Sequence, residues 1–347
     1  MKHWTTWFVA ATVAAVAVFT VIHSTGARAW SVPDRLSDQE FWKLITDSSE
    51  VGGYFRNADI TNLTSNEMLY EHVLTDLLKR TKPGGIYLGV GPEQNYTYIA
   101  AIKPRMAIIF DIRRGNLDLQ LMYKAIFELS KDRADFISML FSKRRPGGLN
   151  SSTSARQLFR SFRASALVDE VTYLRNVTAI EDRLTKTHAL PLPQRDLAGI
   201  AEIYRIFYEG GFAVRPSPTY DELMTATDER GVERSYLASE ENYSVMKELE
   251  SKNLVVPVVG DFGGPKAIRA VAKYLRENGA TVSAFYLSNV EQYLYREKWL
   301  AFCRSVSTLP LDSSSTFIRS ESNFSGGFGF VSSISPIAAD IKACAAN

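Results

Sequence analysis

Residues Gly84–Leu119, GGIYLGVGPEQNYTYIAAIKPRMAIIFDIRRGNLDL, restrict the fold more than any other part of the chain. Ile86–Val90 is a short apolar, β-prone run that stops at Gly89-Val90-Gly91-Pro92. Gln94 to Ile102 suits one short helix, and Ala107–Phe110 is a second apolar run ending in Asp111. Two parallel strands joined by a helix make up half of an open α/β sheet, and ligands of such sheets lie beyond the carboxyl ends of the strands. Gly89, Gly91 and Asp111 all fall there. Glycine lets a ligand approach the backbone where a Cβ would block it. An acid about 20 residues further on can accept hydrogen bonds from ribose hydroxyls. The stretch therefore predicts a nucleoside-type pocket, although a purely structural strand–helix turn needs the same glycines. The dinucleotide version of the motif fails, because Gln94 occupies its third glycine position.

The rest of the chain repeats the alternation. Ser37-Asp38-Gln39-Glu40 and Thr64-Ser65-Asn66-Glu67 are capping boxes, the second opening a predicted helix that runs to about Arg80. Asn62, Ser65, Asn66 and Glu67 would then either reach a ligand or merely cap. Asn116–Leu129 and Arg133–Phe141 carry helical periodicity. Arg113 and Arg114 sit where they could meet an anion or line a solvated loop. From about Ser152 to Tyr208 the pattern is consecutively helical, which predicts an insertion packed on or over the sheet. His188 falls in a linker, where a structural role is the ordinary one. Strand signals resume near Ser235-Tyr236-Leu237, then at Leu254–Val259, Thr281–Leu287 and Thr316–Ser320, separated by helices at Glu240–Glu250, Pro265–Asn278 and Glu291–Ser305.

Continuous apolar strands alternating with helices predict an α/β fold, an open and mostly parallel sheet with helices on both faces. Right-handed crossovers bring Gly89–Gln94, Asp111, Gly260–Gly264 and Ser288–Gln292 to one edge. Asp261 there is either a catalytic or substrate-orienting carboxylate or the cap of the following helix; Asn289 and Glu291 admit the same two readings. The expected organisation is a leader at 1–29, amino-terminal helices and the first half-sheet at 30–150, the helical insertion at 151–215, and the second half-sheet with its tail at 216–347.

Composition excludes several classes. With 46% hydrophobic and 22% charged residues the chain can bury an ordinary core. Residues 1–29 contain Lys2, Arg28 and no acid, so the remainder holds 38 basic and 38 acidic side chains. That balance argues against a dedicated nucleic-acid binder. Met1-Lys2-His3, the apolar run Trp7–Ile22 and the small-x-small site Ala27-Arg28-Ala29 read as a signal peptide, or as an uncleaved membrane anchor through residues 4–22. Either predicts an exported body, periplasmic or extracellular, with anchoring to the inner membrane in the second case. Cys303 and Cys344, the two cysteines, either close a disulfide in an oxidising compartment or remain separate thiols. No metal-ligand spacing occurs. Ser-His-Asp, Gly-x-Ser-x-Gly and phosphate-loop patterns are absent as well.

At Tyr87-Leu88-Gly89-Val90-Gly91-Pro92-Glu93 and Asp111 the chain resembles class I S-adenosylmethionine-dependent methyltransferases. The phrases VVPVVGDFGGPKAIRAVAKYLRENGATVSAFYLSNVEQYL and PTYDELMT, with the glycine stretch, resemble more closely an uncharacterised bacterial family that includes leptospiral surface proteins. The resemblance covers most of the chain after the leader. It implies a Rossmann-like, methyltransferase-like fold, with Gly89, Gly91 and Glu93 in the cofactor loop and Asp111 on the ribose. Two positions depart from the methyltransferase pattern: Tyr87 replaces the usual acid, and Glu93 replaces the usual third glycine. S-adenosylmethionine is thus the implied cofactor, with Asp261 and Asn289 as the residues that orient or deprotonate an unknown small-molecule or protein substrate. The alternative is a non-catalytic exported surface or binding protein that keeps the fold.

Overall fold

The computed structural model describes residues 32–55, 58–164, 170–322 and 329–346, together with Met1. The expected leader lies outside these described residues. Among them, no helix is long and apolar enough to cross a membrane.

Six strands form one sheet: β1 (Ile86–Val90), β2 (Met106–Asp111), β3 (Val255–Val259), β4 (Val282–Ser288), β5 (Leu311–Ser322) and β6 (Phe330–Pro336). Their spatial order is β3-β2-β1-β4-β5-β6. β1 to β5 are parallel to their neighbours, and β6 returns antiparallel along β5. Every residue of β1, β2 and β3 is buried. Successive strand side chains point to opposite faces, so unbroken burial requires that both faces be covered. The fold is therefore α/β with a mostly parallel sheet, and thirteen α-helices are found among the described residues.

Local chemistry explains where the first helices begin. Ser37 and Glu40 close the expected capping box on α1 (Asp38–Ser48), with Ser37 Oγ accepting from the Glu40 N–H at 3.2 Å. The second box does not form. Residues 61–69 are irregular, a 3₁₀ turn covers Tyr70–Val73, and α2 starts at Leu74 and ends at Arg80. Glu67 is instead turned inward, where four side chains from distant elements donate to it. Tertiary partners outbid the local cap.

The crossover from β2 to β3 carries α4 (Arg114–Leu129), α5 (Arg133–Leu140), α6 (Ala155–Ala164), α7 (Glu170–Asp182), α8 (Gln194–Gly210), α9 (Tyr220–Met224) and α10 (Glu240–Ser251). The strand expected at Ser235–Leu237 is a buried turn. Its backbone is engaged elsewhere: Arg133 Nη1 donates to the Leu237 and Ala238 carbonyls at 2.8 and 3.0 Å, and Asn242 Nδ2 to the Ser235 carbonyl at 2.9 Å. Tyr236 packs its ring edge-on to Tyr96 at 5.3 Å, which explains an apolar signal without a strand.

After β3 come α11 (Ala267–Glu277) and α12 (Glu297–Val306), the latter shorter than expected because Arg296, at φ +46°, interrupts the turn after Tyr293. β6 and the final helix α13 (Ile337–Ala346) were not expected from the sequence. Cys303 of α12 and Cys344 of α13 form a disulfide.

Buried ionisable groups give the fold a pH signature. Burial pushes the carboxyls of Glu71, Asp118 and Glu250 up to about 8, and that of Glu93 up to about 7. The folded chain then holds protons that the unfolded chain releases, so stability falls as pH rises from the ordinary carboxylate range to about 8. His188 bridges Glu128 at 2.7 Å and Asp38 at 2.6 Å, and its hydrogen bond to Glu128 raises its pKa. Its stabilisation is complete below the ordinary histidine value and is lost as pH climbs through the raised one. Glu128 acts oppositely at acid pH. Burial pushes it up, but His188 and Lys124 outweigh that and hold it low, so its contribution disappears as pH falls. Urea unfolding is expected to give a higher midpoint at about pH 5.5 than at about pH 8.5. An equal or higher midpoint on the alkaline side contradicts this accounting.

Candidate functional site

The strand order reverses between β1 and β4: β2 and β3 lie on one side of β1, while β4, β5 and β6 lie on the other. Crevices at such reversals, beyond the carboxyl ends, are the usual ligand positions in open parallel sheets. A cleft of about 340 Å³ occupies that position here, and Gly91, Asp111, Asp261 and Ser288 line it from the ends of β1, β2, β3 and β4. Its size falls at the lower end of the roughly 300–1,000 Å³ of small-molecule sites.

The β1 turn is held by Asn95. Its Nδ2 donates to the carbonyls of Val90, Gly91 and Pro92 at 2.9, 3.3 and 2.7 Å, and its Oδ1 accepts from Tyr87 Oη at 2.9 Å. Gln120 Nε2 adds a bond to the Gly91 carbonyl at 3.1 Å. Tyr87, which replaces the acid of the methyltransferase pattern, thus anchors the turn from below. The two glycines play different parts. A Cβ on Gly89 would lie 1.9 Å from Asn95 Oδ1, so packing requires this glycine, and it does not line the cleft. Gly91 has φ +80° and open space where its Cβ would stand, so it presents bare backbone to the cleft.

Glu93 is fully buried and lies outside the cleft lining. Its Oε1 accepts from the Ser65 N–H at 3.1 Å, while Oε2 has no partner. Burial raises its carboxyl to about 7, against an opposing pull from Arg215.

Asp111 is next to the glycine turn, since the Gly91 N–H donates to the Phe110 carbonyl at 3.1 Å. Its carboxylate is clasped by Arg113: Nε to Oδ1 at 3.0 Å and Nη2 to Oδ2 at 2.6 Å, with the Arg113 N–H adding 2.9 Å to Oδ1. Arg113 itself is 3% exposed. Oδ2, with one donor, keeps room for another.

Asp261 pairs with Lys298 at 2.7 Å and accepts the Gly263 N–H at 2.9 Å. The neighbouring helix is capped by a different acid, Glu50, which accepts from the Lys266 and Ala267 N–H groups at 2.9 and 3.0 Å. Glu291 is paired with Arg319. Asn289 lines the cleft, and its side-chain amide makes no hydrogen bond to a described residue.

Three features of the lining had no clear sequence signal. Arg215, from the segment between α8 and α9, lines the cleft and, among the described residues, donates only to the Ser217 carbonyl, at 3.3 Å. Tyr286 of β4 and Ser320 of β5 join Ser288 and Gln94, both from the edge expected by sequence, in donating to Glu67, one of the residues that sequence allows to reach a ligand. Phe55 and Tyr293 meet edge to face at 5.3 Å at the cleft wall. Among the described residues, no three His, Cys, Asp or Glu side chains are grouped to hold a metal ion.

Residues 62–335 match a family model described as a domain of unknown function, DUF7790. No curated protein matches the chain.

Proposed function

We propose that this chain, which belongs to the DUF7790 family, binds a nucleoside-containing small molecule in the cleft at the β1–β4 reversal. S-adenosylmethionine is the specific candidate, and methyl transfer to a small molecule or protein is the reaction. The observation that carries the reading is the open backbone of Gly91 beside Asp111 in one cleft. The strand order, with one antiparallel strand beyond β5, supports the Rossmann-like, methyltransferase-like assignment. The residues fit the cofactor in part. Gly91 permits close approach of the ligand to the chain, and the free lone pair of Asp111 Oδ2 accepts one ribose hydroxyl. When bound, S-adenosylmethionine supplies an electrophilic methyl group. Asn289, whose amide bonds no described residue, orients the acceptor, and catalysis is mainly positioning. Asp261 is held by Lys298 and acts on the local charge rather than as a free base.

An exported location is supported by the Cys303–Cys344 disulfide, since such bonds persist in oxidising compartments. This favours a second reading, a non-catalytic exported binding protein. Both strand-end acids in the cleft, Asp111 and Asp261, already have cation partners, as a retained scaffold would. Calorimetric titration with S-adenosylmethionine and S-adenosylhomocysteine decides between them. Saturable heat with either compound supports the first reading. Absence of heat and of any thermal shift, with no nucleoside among small molecules released from natively purified protein, removes it.

A further inference from the structure

The charges lining the cleft are unevenly compensated. Asp111 has Arg113 and Asp261 has Lys298, both on the β2–β3 side. Glu67, on the β4–β5 side, has no cation among the described residues, although it is only 3% exposed. Its acceptors are satisfied by neutral donors alone. Ser288 Oγ donates to Oε1 at 2.5 Å, while Gln94 Nε2 at 2.7 Å, Tyr286 Oη at 2.9 Å and Ser320 Oγ all donate to Oε2. Ser65 Oγ in turn donates to Gln94 Oε1, which fixes the amide with its NH₂ toward Glu67. Donors from α3 (Gln94–Ile102), β4 and β5 therefore hold this side chain in one orientation.

Such a network solves the hydrogen-bonding problem of a buried acid and leaves its charge problem open. Burying a carboxylate without a counter-charge is costly, and a cation brought by a ligand removes that cost. Oε1, with a single donor, keeps room for a second. Arg215, the remaining cation among the described lining residues, bonds a carbonyl and forms no ion pair with Glu67. Tyr286 and Tyr293, aromatic residues of the kind that attract ammonium groups, line the same cleft. We propose that the β4–β5 side of the cleft receives an amine-bearing, cationic group, with Glu67 as its specificity-determining counter-charge. The inference rests on the reading of the cleft as a ligand site and adds the class of group received on the side away from the nucleoside.

The test uses the purified full chain with n-butylamine, agmatine and spermidine as probes, and n-butanol and 1,4-butanediol as uncharged counterparts. The expected result is a saturable thermal shift with at least one amine and none with the alcohols at equal concentration. Glu67→Gln, which keeps the size and an acceptor oxygen, is expected to weaken that response by about tenfold or more. Equal responses to amines and alcohols, no response to any amine, or an undiminished response in Glu67→Gln overturns the proposal. Should Glu67→Gln fail to fold, the wild-type comparison of amine with alcohol still decides, and Ser320→Ala supplies a milder perturbation of the same carboxylate. The probes contain no nucleoside. A chain that binds S-adenosylhomocysteine but no amine keeps the reading above and loses this one, and the converse result does the reverse.

Discussion

Asp111→Ala is expected to lower the unfolding free energy by about 3–5 kcal/mol, the cost of removing one partner from a buried ion pair. The magnitude follows from what remains. Arg113 is 3% exposed and directs Nε and Nη2 at the lost carboxylate, leaving it only the Thr61 carbonyl, to which Nη1 already donates. Replacing both partners with apolar residues of similar volume, Asp111→Leu with Arg113→Met, is expected to recover most of the loss, because no charge is then stranded. Urea denaturation of the two single variants and the double variant measures this directly. A single variant within about 1 kcal/mol of wild type shows that the pair is not a significant support. The result also bears on the site. Loss of ligand binding in Asp111→Ala reports a missing ribose contact only where the protein is shown to be folded.

The second large effect concerns the carboxyl terminus. Cys303 and Cys344 are 41 residues apart, and closing a loop of that length stabilises a fold by about 4 kcal/mol on the chain-entropy account. The bond joins α12 to α13, the helix that follows the antiparallel edge strand β6. Cys303→Ser with Cys344→Ser is expected to lose that amount, and dithiothreitol on the wild type should reproduce it. Free-thiol titration of the unfolded, unreduced chain tests the premise, since two titratable thiols there exclude the bond.

Much of the fold was readable in the sequence because local chemistry and tertiary context agreed. Ile86–Val90 and Gln94–Ile102 form a strand and a helix with those bounds, and Ser37 with Glu40 caps as their spacing requires. The second capping box failed because a local pattern met stronger distant partners. Thr64-Ser65-Asn66-Glu67 has the spacing of a capping box, yet Glu67 meets donors 27, 219, 221 and 253 residues away. No periodicity records such separations. For Arg113 the sequence offers an anion, with a solvated loop as the default; it is buried, and its anion is Asp111, two residues before it. The candidate site was partly legible as well. Strand ends are visible in sequence and bring Gly91, Asp111, Asp261 and Asn289 to the cleft, whereas the pairing of Asp261 with Lys298, 37 residues further along, depends on the assembled fold.

The Asn95 clasp has a consequence for how a ligand is met. Three carbonyls of the β1 turn are tied to one side-chain amide, and that amide is itself tethered to Tyr87 under the strand. A turn fixed in this way has already surrendered its conformational freedom during folding. An arriving molecule then forfeits little entropy on this wall, and its affinity is governed by complementarity of shape and charge rather than by the labour of organising a loop.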